Sequence, residues 1–181
     1  RLRDPGEGRI LIDGKDIKSV TLQSLRHNIA VVIQDAGLYN RSIAENIAVG
    51  RPDATDEEIR QAARLARAES FIAAKPGGMS FVAGERGASL SGGERRRVEI
   101  ARALTHKAKA VIFDEPTASL TDAEKVVLFN VIADLKADRV GIVYISHRME
   151  EIFKITDRIT VLRDGQYRGT LNTPQTNEDE I

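Results

Sequence analysis

Apolar residues fall along this chain in short runs that alternate with amphipathic stretches. Ile10-Leu11-Ile12, followed by Asp13-Gly14, reads as a strand ending in a tight turn. A short helix over 22–27 leads into a second apolar run at 29–33, which stops at Gln34-Asp35. Residues 42–49 predict one or two helical turns, broken by Pro52. Thr55 and Glu58 have capping-box spacing, and the helix they open carries Ile59, Ala62, Ala63 and Ala66 on one face. It is expected to continue to about Ala73, and Pro76-Gly77-Gly78 closes this helical part.

A strongly helical stretch follows over 91–106, then a buried-type strand at 110–113. Thr121 and Glu124 repeat the capping-box spacing, ahead of a helix with Val127, Val131 and Leu135 on one stripe. Residues 140–145 predict a strand and 148–155 a short helix. The runs 158–163 and 166–171 flank Asp164-Gly165, a hairpin signal, and the polar tail from Asn172 is expected to fray. Strands alternating with helices imply an α/β fold with parallel members in the sheet.

Composition narrows the field. With 181 residues and 41% hydrophobic content, the chain suits a single domain with a real core. Lys plus Arg and Asp plus Glu both number 27, so no global field favours nucleic acid or anionic lipid. The lack of cysteine excludes a disulfide framework and a thiolate metal site. The apolar runs are strand-sized and the charged, turn-rich start is unlike a signal peptide. A soluble, cytoplasmic chain is the expectation, and the start at Arg1-Leu2-Arg3 without a methionine gives the further expectation of a fragment.

Candidate chemistry gathers where elements end. Ser91-Gly92-Gly93 opens a helix, where glycine amides, a hydroxyl and the helix dipole suit an anion, although the same residues also serve as an ordinary capping loop. Asp114 and Glu115 end an apolar strand, where one carboxylate can hold Mg²⁺ and its neighbour can polarise a water attacking a γ-phosphate. An acidic loop after a buried strand is the equally weighted alternative. His147 follows another apolar strand and could hydrogen-bond a γ-phosphate, although a lone histidine is more often structural, as His27 and His106 are expected to be. Gln34 also lies at a strand end, where ligands of α/β sheets gather.

The conjunction is specific. Leu90-Ser91-Gly92-Gly93-Glu94, the helix running through Ala101-Arg102-Ala103-Leu104, Asp114-Glu115-Pro116-Thr117 and Ser146-His147 resemble the signature motif, Walker B strand and switch histidine of ATP-binding cassette (ABC) ATPases. The resemblance covers nearly the whole chain. It implies a P-loop NTPase-like cassette with a mainly parallel core sheet and a helical subdomain. Residues 40–90 would be the helical, signature-side segment, 91–171 the core with signature helix, Walker B and switch histidine, and 172–181 a polar tail. No Gly-x-x-x-x-Gly-Lys-Ser/Thr loop occurs in the sequence, so the N-terminal strand and the phosphate-binding Walker A region are expected to be missing.

By the same resemblance, Gln34 would sense Mg²⁺ or the attacking water, and Ser91, Gly92, Gly93 and Glu94 would meet the γ-phosphate of ATP held by an opposite cassette. Asp114 would hold Mg²⁺, Glu115 would be the general base, and His147 would steady the γ-phosphate. ATP and Mg²⁺ are thus the implied cofactors. The implied partners are a second cassette, paired head to tail, and transmembrane transporter domains at the cytoplasmic face of the cell membrane. The cluster Arg95, Arg96 and Arg97 reads as a solvated helix face and not as a nucleic-acid site, because net charge is zero and aromatics are few. Glu99 stands where the family has a small residue, and Arg95 one turn back is its expected partner. The strand preceding Walker A is expected beside the Walker B strand, so that its loss leaves 111–113 with an unpaired edge and uncovers Val143 and Ile145.

The two halves resemble different branches. Gln34-Asp35-Ala36-Gly37-Leu38, Asn40-Arg41-Ser42-Ile43 and Gly84-Glu85-Arg86-Gly87 look like exporters of the cyclic-glucan kind. From about Phe113 onward, Ala118-Ser119-Leu120-Thr121, Tyr144-Ile145-Ser146-His147-Arg148-Met149 and Leu162-Arg163-Asp164-Gly165 resemble ribose- and galactose-type importers, with a junction between Glu94 and Phe113. Thr121 stands where the exporter pattern has Asp. Carbohydrate cargo is the expectation both halves share. Two other readings stand beside transport: a non-transport ABC-type ATPase of DNA repair or translation, and a degenerate module that pairs with an intact cassette.

Overall fold

Three parallel strands carry the centre of the molecule in the computed structural model, which describes residues 4–34 and 37–181. In chain order the elements are β1 (Leu11–Ile12), β2 (Lys15–Asp16), α1 (Leu22–Asn28), β3 (Ile29–Val32), α2 (Ile43–Ala48), α3 (Asp56–Leu65), α4 (Glu69–Ala74) and α5 (Gly92–Leu104). Then follow β4 (Ala110–Asp114), α6 (Asp122–Ala137), β5 (Gly141–Ile145), α7 (Met149–Ile155), β6 (Arg158–Arg163) and β7 (Gln166–Asn172). The sheet order is β3-β4-β5, while β1-β2 and β6-β7 are separate antiparallel hairpins. Among the described residues no helix is long and apolar enough to cross a membrane.

Strand alternation divides the sheet into two unlike faces. Ala30, Val32, Val111 and Phe113 are buried on the face that α5 and α6 cover. Val31, Ile33, Val143 and Ile145 point the other way and are exposed by 50%, 47%, 51% and 48%, so an apolar face of the sheet stands bare. The edge expected at 111–113 lies elsewhere. β4 is the central strand, paired with β3 from Ile29↔Ala110 to Val32↔Phe113 and with β5 from Ala110↔Gly141 to Asp114↔Ile145. The open edges are β3 and β5, and the uncovering of Val143 and Ile145 is as expected.

Beside the sheet, α2, α3 and α5 pack into a helical layer around Ile43, Ile47, Ala62, Ala63, Val98 and Ala101. Gly50 permits the close approach at the end of α2, since a Cβ there would lie 2.0 Å from the Arg102 carbonyl oxygen. The helix expected to reach Ala73 breaks instead into α3 and α4. Arg67 adopts φ 52° between them, and the Ala68 N–H turns back to the Ala63 carbonyl at 2.8 Å, burying Ala66 and Ala68 completely. On α6 the buried stripe is Leu128, Val131, Ile132 and Leu135, leaving Val127 half-buried. The tail is less frayed than its polarity suggested, because Thr173 is buried and its N–H donates to the Asp157 carbonyl at 3.1 Å.

Candidate functional site

Parallel strands place their C-terminal ends on one side, and here that side collects most of the expected chemistry. Gln34 is an exposed turn residue just past β3, Asp114 ends β4 half-buried, and Ser146-His147 follows β5. Past Asp114 the chain turns sharply: Glu115 has φ 42°, and its N–H still donates to the Ile145 carbonyl at 3.0 Å. This turn swings the Glu115 side chain across to β5, where Oε1 lies 2.8 Å from His147 Nδ1. The second oxygen, Oε2, is buried and has no hydrogen-bond partner. A buried acceptor without a partner is uncommon in a folded chain and marks Glu115 for a functional reading.

The Ser91–Glu94 corner is built separately. Ser91 caps α5, its Oγ accepting the Glu94 N–H at 3.2 Å while Glu94 Oε2 accepts the Ser91 N–H at 2.9 Å. Lys75 Nζ donates to the same Glu94 oxygen at 3.0 Å. Burial is the largest influence on the Glu94 carboxyl and opposes its ionisation, but the Ser91 N–H and Lys75 together hold it below its ordinary range. Gly93 N–H donates to Glu124 Oε1 at 2.8 Å, and a Cβ on Gly93 would sit 2.1 Å from that oxygen. Among the described residues, no hydrogen bond joins Ser91, Gly92, Gly93 or Glu94 to Glu115 or His147.

Two sequence expectations on α5 need correction. The arginine cluster is not a solvated face: Arg96 is buried, donating to the Ile33 carbonyl at 2.9 Å and to Glu99 Oε2 at 3.0 Å, while Arg95 and Arg97 are half-buried. Arg95 reaches the Arg86 carbonyl, and the Arg97 guanidinium lies 4.9 Å from the centre of the Phe71 ring. Glu99 therefore pairs with Arg96 and not with Arg95, because the three-residue step faces the core here and the four-residue step faces outward. Asp35 and Ala36 of the exporter-like string lie outside the described residues, as do Arg1, Leu2 and Arg3.

Behind Glu115 and His147 stands a polar cluster that sequence reasoning missed. Glu151 Oε2 accepts from Thr117 Oγ1 at 2.7 Å and from Tyr144 Oη at 2.9 Å, with Thr117 and Glu151 both buried. Burial first, and then the bond to Glu151, push the Tyr144 phenol above its ordinary range. Nothing in the sequence pattern joined these three residues, since Thr117 lies past β4, Tyr144 on β5 and Glu151 on α7. Glu124 was visible as a capping residue, but its reach to Gly93 was not.

A model of the ABC transporter family matches residues 1–118. The chain belongs to the ABC transporter family. Among individual relatives, it is 49% identical over 152 residues to the β-(1→2)glucan export ATP-binding/permease protein NdvA of Mesorhizobium japonicum, which spans 84% of this chain and 26% of that protein. It is 44% identical over 167 residues to the mitochondrial iron–sulfur clusters transporter atm1 of Aspergillus fumigatus, spanning 92% of this chain and 23% of that protein. The structure resembles a bacterial Atm1-family ABC exporter with ATP bound, at TM-score 0.86 and 40% identity, covering 96% of this chain and 30% of that one. The chain therefore has the α/β cassette fold of exporter-type ABC proteins and spans about a quarter of the length of the curated relatives it matches.

Proposed function

We propose that this chain forms most of the ATP-binding and ATP-hydrolysing cassette of an ABC exporter that handles carbohydrate. One observation carries the hydrolytic part: Glu115 touches His147 at 2.8 Å while its other oxygen stays buried and unpartnered at the C-terminal side of a parallel sheet. Glu115 is the general base, and His147 fixes one side of its carboxylate and reaches for the γ-phosphate. Gln34 and Asp114 would hold Mg²⁺, which would supply positive charge to neutralise the phosphates. Mg²⁺ needs only one or two carboxylates beside waters and substrate phosphates, and half-buried Asp114 at the end of β4 offers one. Ser91, Gly92, Gly93 and Glu94 serve the ATP of a second cassette paired head to tail, and the segment from Gln34 to Gly87 meets transmembrane domains at the cytoplasmic face of the membrane.

Support for carbohydrate cargo comes from the glucan exporters among the relatives, while the importer-like strings after Phe113 favour a sugar-handling ancestor for that half as well. A chain recombined between Glu94 and Phe113 keeps its sheet, since β4 pairs in unbroken register with strands from both halves. Adding an upstream strand, phosphate-binding loop and helix completes the cassette, and the strand would lie beside β5. The test is hydrolysis by that completed cassette. Glu115→Gln should abolish turnover and leave ATP binding intact, because the amide keeps the shape and cannot take the proton. Turnover at the parental rate would remove Glu115 from the role of base.

A further inference from the structure

The Glu115–His147 contact is made by two residues on separate loops that meet at the strand ends, where the Glu115 N–H donates to the Ile145 carbonyl at 3.0 Å. His147 is 76% exposed at its side chain, and Glu115 holds it through one oxygen. The bond to the Ile145 carbonyl joins the strand ends, while the turn past Glu115 is still to be tied to α7. The cluster beneath them does this with a single atom. Thr117 lies two residues past Glu115, Tyr144 three residues before His147, and Glu151 four residues after it. Both hydroxyls donate to the same oxygen, Glu151 Oε2, at 2.7 and 2.9 Å. The β4 loop, the end of β5 and the first turn of α7 are thereby tied at one buried point.

We propose that Glu151 is a positioning residue of the hydrolytic site, its buried carboxylate clamping Thr117 and Tyr144 so that Glu115 and His147 meet. This inference rests on the reading of Glu115 and His147 as the hydrolytic pair. A purely space-filling role does not require a carboxylate: Glu151 is only 6% exposed, and an apolar side chain would fill that volume without the penalty of burying a charge. What an apolar residue could not do is accept from two hydroxyls on different loops. Arg148 Nε, 3.9 Å from Glu151 Oε1, is the nearest cation and is itself largely exposed, so the clamp is chiefly the two hydroxyl bonds. Tyr144 keeps its proton well past neutrality and stays a donor throughout.

The experiment follows the imidazole and needs no nucleotide. In the 181-residue chain labelled with ¹⁵N-histidine, the ring nitrogen shifts of His147 report whether Nδ1 is engaged, with Glu115→Ala as the reference for an unheld ring. Tyr144→Phe and Thr117→Val should each move the His147 signals part of the way toward that reference. The double variant and Glu151→Ala should both reach it, with His27 and His106 unmoved. In the completed cassette the same double variant should lose on the order of tenfold or more in kcat, with KM for ATP within about twofold, as expected when reacting groups are misplaced by a fraction of an ångström. His147 signals unchanged in the folded double variant, while Glu115→Ala moves them, overturn the proposal. A completed parental cassette that fails to hydrolyse ATP would overturn the proposed function and leave the imidazole measurement to judge the clamp alone.

Discussion

Glu115 is held in a backbone conformation that suits glycine better than an acid. Its φ of 42° and its unpartnered buried oxygen each oppose folding, by about 1–3 kcal/mol for such strain and a similar sum for an orphaned acceptor. Glu115→Gly should therefore stabilise the chain by about 1 kcal/mol, net of the lost His147 contact and the freer unfolded state, while removing the carboxylate proposed as the base; a urea midpoint that falls would show that Glu115 is not strained. At this scale the sequence was a partial guide. Asp114, Glu115 and His147 could be placed at strand ends because apolar runs announce where strands stop. Thr117, Tyr144 and Glu151 could not be joined, since their meeting depends on how β4, β5 and α7 are stacked. Arg96 and Arg95 were confused for a related reason: both lie one turn from Glu99, and only the direction of the core separates them.

Among the elements, the helix starts repeat one device. Ser42 with Glu45, Thr55 with Glu58, Ser91 with Glu94 and Thr121 with Glu124 all close complete capping boxes. The motif is local, which is why two of the four were legible from spacing alone, and the other two had the same spacing. All four glutamates are held below their ordinary pKa: Glu58 chiefly by its bond with Arg51, Glu124 chiefly by the Thr121 N–H, Glu45 chiefly by the Ser42 hydroxyl, and Glu94 by Ser91 and Lys75 against its burial. A depressed folded-state pKa stabilises above the unfolded value of 4.5, and that stability drains as the pH falls through the lower folded values. Thermal midpoints measured from pH 6 to pH 3 should drop steeply below about 4.5, and Glu58→Gln with Glu124→Gln should flatten that drop. An unchanged slope would mean the boxes do not govern acid stability. The bare sheet face gives a second test: Val143→Lys should reduce association in light scattering while changing stability by no more than about 0.5 kcal/mol, whereas Phe113→Ala on the covered face should cost about 3–5 kcal/mol. An equal loss of stability at both positions would mean that the Val143 face is covered in solution.

For the molecule as a whole, the 181 residues contain no Gly-x-x-x-x-Gly-Lys-Ser/Thr loop to cradle a nucleotide's phosphates. Three charge-assisted bonds forgone amount to roughly 5–9 kcal/mol, at least about three decades of affinity. Calorimetry on this chain should therefore find no micromolar binding of ATP, and a micromolar isotherm would show that another part of the chain grips the phosphates. The order of the sheet was not legible, because periodicity marks strands without saying which are neighbours, and β4 proved to be the middle strand. That placement has a consequence in time. Among the described residues the strand paired with β3 is β4, about 80 residues further on, so at about 5–20 residues per second a ribosome leaves β3 without its partner for roughly 4–16 s. During that interval α2, α3 and α5 are all synthesised, so the helical layer is available before β4 joins β3, and β5 adds to the sheet only about 30 residues later.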